Sequence, residues 1–176
     1  MSDLPSTGLQ LRSLITSAGQ LQLSLEETDV PPPGDDEVVV QVGAAPINPS
    51  DLGLLLGMAD LSSAVQGGTA ERPTITADIP AGPLATLGGR LDESMPVGNE
   101  GGGVVIAAGA GEEAQALLGK TVGVLGGAMY SEYRTLNVHQ CLQMHDGVTA
   151  TEAASCFVNP LTALGMVETM RMEGYS

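Results

Sequence analysis

Hydrophobic positions near the start of the chain fall on every second residue. Leu9, Leu11 and Ile15 alternate with mostly polar neighbours, with Ser13 filling the remaining place, and Leu21, Leu23 and Leu25 alternate again beyond Ser17-Ala18-Gly19-Gln20. That period, interrupted by a glycine turn, predicts a β-hairpin with one buried face. Residues 1–8 are mostly polar, with Pro5 and Gly8, and read as a frayed start. Proline donates no ladder hydrogen bond, so Pro31-Pro32-Pro33-Gly34-Asp35-Asp36 reads as a stiff connector into a strand over 37–42. Pro46 and Pro49 then fix a turn in which Asn48, Ser50 and Asp51 are all residues that bond to nearby backbone. A short helical turn is expected over 52–57.

Small, polar and proline residues dominate 58–95, with Gly67-Gly68, Gly82-Pro83 and Gly88-Gly89 as breakers. A structureless loop of that length is rare in a compact domain, so short helical pieces are expected around 59–66 and 83–91. Strand signals resume at 104–108, at 119–125 and, after a Gly126-Gly127-Ala128 turn, at 131–138. Beyond Gly147 the pattern changes. Thr149-Ala150-Thr151-Glu152 has the form of a capping box, Pro160 suits a first helical turn, and Leu161, Leu164, Val167 and Met170 keep helical spacing up to a stop at Gly174. The expected fold is mainly β with short helices (α+β), a barrel or sandwich over 1–147, with a helical segment over 148–176 that opens another domain.

Composition narrows the picture. Hydrophobic residues make up 43% of the 176, yet there is one Phe and no Trp, so the core must be built from Leu, Val, Ile, Ala and Met. Six Lys and Arg against 21 Asp and Glu give a formal charge of -15, which argues against nucleic acid and against anionic membrane surfaces as partners. Cys141 and Cys156 are too few for a disulfide framework or a four-cysteine zinc lobe. Neither a membrane-spanning run nor a basic-then-apolar leader stands out, and the expectation is a soluble, cytoplasmic protein.

Gly98-Asn99-Glu100-Gly101-Gly102-Gly103 runs straight into Val104-Val105-Ile106. Glycine there admits positive φ and the close approach of another backbone or a ligand. The stretch is either a glycine-rich turn before a barrel strand or part of a site. His139, Cys141 and His145 are either a metal site or isolated structural and surface residues. A nucleophilic hydrolase finds no G-x-S-x-G elbow.

Taken in order, the strand over 37–42 with Asn48-Pro49-Ser50-Asp51, then Gly98-Asn99-Glu100-Gly101, Gly119-Lys120-Thr121-Val122, Met129-Tyr130-Ser131-Glu132-Tyr133 and Asn159-Pro160-Leu161-Thr162-Ala163 resemble the first half of the medium-chain dehydrogenase/reductases. The resemblance covers most of the chain except roughly 58–95. It implies a GroES-like, partly open β-barrel on the catalytic side of a cleft, followed by C-terminal helices leading toward a Rossmann domain that binds the nicotinamide cofactor. No strand–GxGxxG–helix unit follows: Gly123-Val124-Leu125-Gly126-Gly127 leads into a strand, so it sets no phosphate at a helix N-terminus. The chain therefore resembles a truncated enzyme, expected to be inactive in isolation and homodimeric at full length.

Zinc-dependent members of that family carry Cys at the place of Asn48, His at the place of Asn99 and a third ligand near Val158. A catalytic zinc takes three ligands from Cys, His and carboxylate, which these residues do not supply, so no metal is expected. The resemblance then points to the zinc-independent quinone-oxidoreductase and enoyl-reductase branch, which passes hydride from NADPH or NADH to a quinone or an activated C=C bond. That task needs nicotinamide held against the acceptor and a carbonyl polarised by hydrogen-bond donors, for which the amides of Asn48, Asn99 and Asn159 are candidates. Thr162 matches the family position that touches nicotinamide; Asn159 and Thr162 either bind the cofactor or only cap their helix. Asp51 is either an acid or base or the acceptor that fixes its turn. Ala59 stands where enoyl-thioester reductases carry a catalytic Tyr, which leaves the proton donor unassigned, while Tyr130 and Tyr133 read as packing residues. The competing reading is a binding or co-chaperone module on the same barrel.

Overall fold

The computed structural model describes residues 4–175. In chain order its elements are β1 (Thr7–Thr16), β2 (Gln20–Asp29), β3 (Glu37–Ala44), α1 (Pro49–Leu55), β4 (Asp60–Gly68), β5 (Pro73–Asp78), α2 (Ala81–Leu84), β6 (Ser94–Pro96), β7 (Glu100–Ala108), α3 (Glu112–Leu117), β8 (Thr121–Leu125), β9 (Tyr133–Asn137), β10 (Cys141–Gln143), α4 (Ala150–Ala153) and α5 (Val158–Met172). Single 3₁₀ turns lie at Gly88–Arg90 and Val138–Gln140. The strands form two five-stranded antiparallel sheets, ordered β4-β5-β2-β1-β6 and β10-β8-β7-β3-β9. They meet where Gln10 bridges Ser131, with the Leu11 N–H donating to Tyr130 O at 2.8 Å and the Glu132 N–H to Leu9 O at 2.9 Å. The result is a curled, partly open barrel, as the sequence led us to expect.

Its larger core lies in the second sheet, where Val38, Val40, Val105, Val122, Val124, Met129 and Leu136 pack with Ala114 and Leu117 of α3. A smaller cluster gathers Ile15, Leu21 and Ile79, with Ala59 and Leu84 against it.

Several expectations need correction. The hairpin of β1 and β2 forms as read, with Leu11 opposite Leu25 and Ile15 opposite Leu21, but β1 does not bury a single face. Gly8 and Gln10 are buried at one end, Ser13 and Ile15 at the other, and the phase changes at Arg12. The early part of the strand turns its even positions toward β9, and the later part turns its odd positions toward the small core. The stretch 59–66, expected to be helical, is instead, from Asp60 on, part of β4, an exposed edge strand paired with β5 through an irregular register. Solvent on nearly every β4 side chain removes the alternation that would have marked it as a strand. The supposedly frayed start enters β1 already at Thr7, and its first three residues lie outside those described. Lastly, the glycine stretch is not a turn leading to a strand at 104: β7 begins at Glu100 and pairs with β3 and β8 through the glycines themselves.

Gly102 explains that choice of residue. A Cβ there would run into the backbone of α4, meeting the Ala150 carbonyl oxygen and lying 2.8 Å from the Ala154 nitrogen. Helix α4 is thus seated directly on β7, with Ala153 and Ala154 buried beneath it. Helix α5 instead leaves the barrel with none of its residues buried, and Leu161, Leu164, Met166, Val167 and Met170 lie exposed along it.

Candidate active site

The turn of Asn48 to Asp51 is organised by the start of α1. Asn48 is the N-cap and Pro49 occupies the first helical position, where its missing N–H costs no helical bond. Asp51 Oδ2 accepts the Asn48 N–H at 2.8 Å, so the carboxylate holds the turn closed. Asn48 and Asp51 are each 1% exposed. The Tyr130 hydroxyl closes the same turn from the barrel side, donating to Pro46 O at 2.9 Å and lying 3.2 Å from Asp51 Oδ2. Burial, and then the Asp51 carboxylate beside it, push the Tyr130 phenol above its ordinary range. Tyr130 is therefore a hydrogen-bonding member of the site rather than packing alone, whereas Tyr133 packs its ring over Gly8.

Glu100, fully buried at the first position of β7, ties this turn to α5. Its Oε1 accepts from Asn48 Nδ2 at 3.0 Å, and its Oε2 accepts the N–H groups of Phe157 and Val158, both at 2.9 Å. Helix α5 has no side-chain cap of its own at Phe157. A carboxylate 57 positions earlier in the chain supplies it, satisfying orphan donors and meeting the positive end of the helix. Asn159 Nδ2 reaches Asn48 Oδ1 at 3.3 Å, which completes a chain running from Asp51 through Asn48 to Glu100 and Asn159. Asn99, one residue before Glu100, donates to Ser50 Oγ at 2.9 Å.

Four of the five expected site residues are thus gathered at one place, joined directly or through Ser50 and Glu100. Thr162 stands apart, exposed one turn into α5, with its hydroxyl donating to Val158 O at 2.6 Å. The reading of Asn159 and Thr162 as helix caps is corrected: neither caps α5, and Glu100 does. Glu100 was passed over as a site residue, although a glutamate set among glycines at the entry to a core strand is itself a signal of a buried acceptor.

Among the described residues no three His, Cys, Asp or Glu side chains converge on a common point that could hold a metal ion. Burial raises the Cys141 thiol to about 11 and raises Cys156 as well, the latter with help from the Glu100 charge. Iodoacetamide labelling of Cys141 in the native chain is expected to follow that shift, its rate half-maximal near pH 11, against about 8.5 for an unperturbed thiol. Labelling already half-maximal at pH 8.5 would place Cys141 in the open.

No protein-family profile matches the sequence, and no curated protein matches it. Solved structures do. A provisionally named NADPH:quinone reductase from Mesorhizobium loti is 27% identical, with a TM-score of 0.64 over 97% of this chain and 46% of that one. A second provisionally named NADPH:quinone reductase, from Bacillus thuringiensis, is 24% identical with a TM-score of 0.62 over 93% and 41%. The chain has the GroES-like fold of the quinone oxidoreductases, a branch of the medium-chain dehydrogenase/reductases. A mycobacterial structure holding NADPH shares this GroES-like fold at 19% identity and a TM-score of 0.56, over 93% and 42%. The chain spans less than half the length of each of these three.

The leading N–H groups of α5 already bond to Glu100, so they are not free to take a phosphate. Asn159 and Thr162 are exposed and Asn99 is half-buried, so these side chains keep polar atoms at the surface.

Proposed function

We propose that this chain forms the substrate-side part of a zinc-independent NAD(P)H-dependent oxidoreductase that reduces a quinone or an enone. The observation that carries the reading is the set of three amides, Asn48, Asn99 and Asn159, held around a buried carboxylate at the junction of α1, β7 and α5. The donor set supports zinc independence: Asn48, Asn99 and Val158 offer no thiolate, imidazole or carboxylate where a catalytic zinc would need three. When bound, the reduced nicotinamide supplies a hydride. The chain's residues orient and polarise. Asn48 is buried and its side chain is bonded to Glu100 and Asn159, so its role is to position them rather than to touch the acceptor. Asn99 and Asn159 keep one amide hydrogen each for a developing oxyanion, the kind of preorganised donor that lowers the barrier without ionising. Thr162 and Asn159 take the nicotinamide amide. Asp51, sealed in its turn, fixes Asn48. Such an enzyme acts as a homodimer in the cytoplasm with a small carbonyl or quinone substrate.

The test uses the natural product of the gene: its intact mass is compared with that of the 176-residue chain, and NADPH consumption is followed at 340 nm with a benzoquinone and a cyclic enone. Asn159→Ala is expected to lower kcat/KM about tenfold, the equivalent of one lost hydrogen bond in the transition state. A product of twice the mass that consumes no NADPH with either acceptor would overturn the assignment.

A further inference from the structure

A cavity of about 290 Å³ opens between β1, the end of β2 and the start of β9, lined by Gln10, Asp29, Val30, Pro31, Tyr133 and Arg134. Basic residues are scarce in this chain, six against 21 acidic, yet Arg134 makes no ion pair among the described residues. Its Nε is buried and has no hydrogen-bond partner. Burial without a counter-charge draws its pKa below the ordinary guanidinium value, although an arginine stays charged under any working condition. Gln10, only 6% exposed, spends its Oε1 on Arg12 Nη1 at 2.8 Å, and its Nε2 donates to no described residue. Arg134 and Gln10, each with unspent donors, therefore line one cavity whose wall is completed by Thr28, Val30, Pro31, the Tyr133 ring and Thr135. Asp29 at the rim and a net charge of -15 disfavour a doubly charged ligand.

We propose that this cavity binds a small monocarboxylate, its oxygens taken by the Arg134 fork and the Gln10 amide. Calorimetry on the intact chain with benzoate, against benzamide and inorganic phosphate, tests it, with amide shifts in NMR spectra locating the site. Benzoate is expected to bind at one site with shifts centred on Gln10 and Tyr133 to Thr135, and benzamide not to saturate. Arg134→Lys, which keeps the charge but loses the planar fork, is expected to weaken benzoate at least about tenfold. Asp29→Asn, at an exposed position, is expected to tighten it about twofold to fivefold by removing a like charge. Absence of saturation by benzoate up to about 20 mM would overturn the proposal. So would equal binding of benzamide, undiminished binding by a folded Arg134→Lys chain, no gain in Asp29→Asn, or shifts centred elsewhere.

Discussion

Replacing Glu100 with alanine is expected to lower the unfolding free energy by roughly 3–5 kcal/mol in urea denaturation, a large effect for one side chain. The carboxylate is fully buried and accepts three hydrogen bonds, from the Asn48 side chain and from the Phe157 and Val158 backbone. Alanine would leave all three donors facing a void, and backbone N–H groups cannot be exchanged for apolar ones. Desolvation of a buried carboxylate opposes this gain, and where it dominates, a neutral replacement is harmless. Glu100→Gln separates the two. It keeps one acceptor oxygen and presents an NH₂ group to the remaining donors, so we expect a loss of about 2 kcal/mol. A glutamine variant as stable as the parent would mean that desolvation cancels the bonds. Hydrogen exchange at Phe157 and Val158 should quicken in both variants while the β3–β7 ladder stays protected.

The second large effect is expected at Gly102. Alanine there sets a methyl group against the carbonyl of Ala150 and within 2.8 Å of the Ala154 nitrogen, both backbone of a helix packed on the sheet. No side-chain rotation relieves such a contact, so α4 must lift, uncovering Ala153, which is 0% exposed. A loss of about 3 kcal/mol is expected, at the upper end for overpacking. Gly165→Ala in α5 is the matched control. Nothing lies within 4 Å of its added methyl, and helix propensity alone favours alanine by up to about 1 kcal/mol. Similar losses for the two substitutions would mean that α4 is not seated on β7 as described.

Much of the barrel was legible because its central strands bury both faces. The β-branched runs of β3, β7 and β8 cannot be read as anything but strand, and the capping box at Thr149 and Glu152 marked α4 by the bond it forms, Glu152 Oε2 accepting the Thr149 N–H at 2.8 Å. The residues of this cluster were legible one by one but not as a circuit. Asn48, Asp51, Asn99 and Asn159 carry local signals, a turn or a cap, whereas the bond from Glu100 to Phe157 joins positions that share no pattern along the chain. Ladders of exposed residues were equally opaque. β4 has no buried face to set a period, and β5 shows its pairing only through Ala77, the sole buried position in it.

The exposed edge formed by β4 bears on how the molecule behaves in company. Leu61 and Val65 stand in solvent on a strand with one side unpaired, the arrangement that lets one chain template another. The shared negative charge of the whole surface, with Asp60 at the start of the strand itself, opposes such edge pairing. Acidification toward the range in which carboxylates protonate, or high salt that shortens the reach of their repulsion, removes that protection while leaving the edge open. Colloidal stability and native stability are therefore governed by different parts of this molecule, the first by its acidic coat and the second by the valine core.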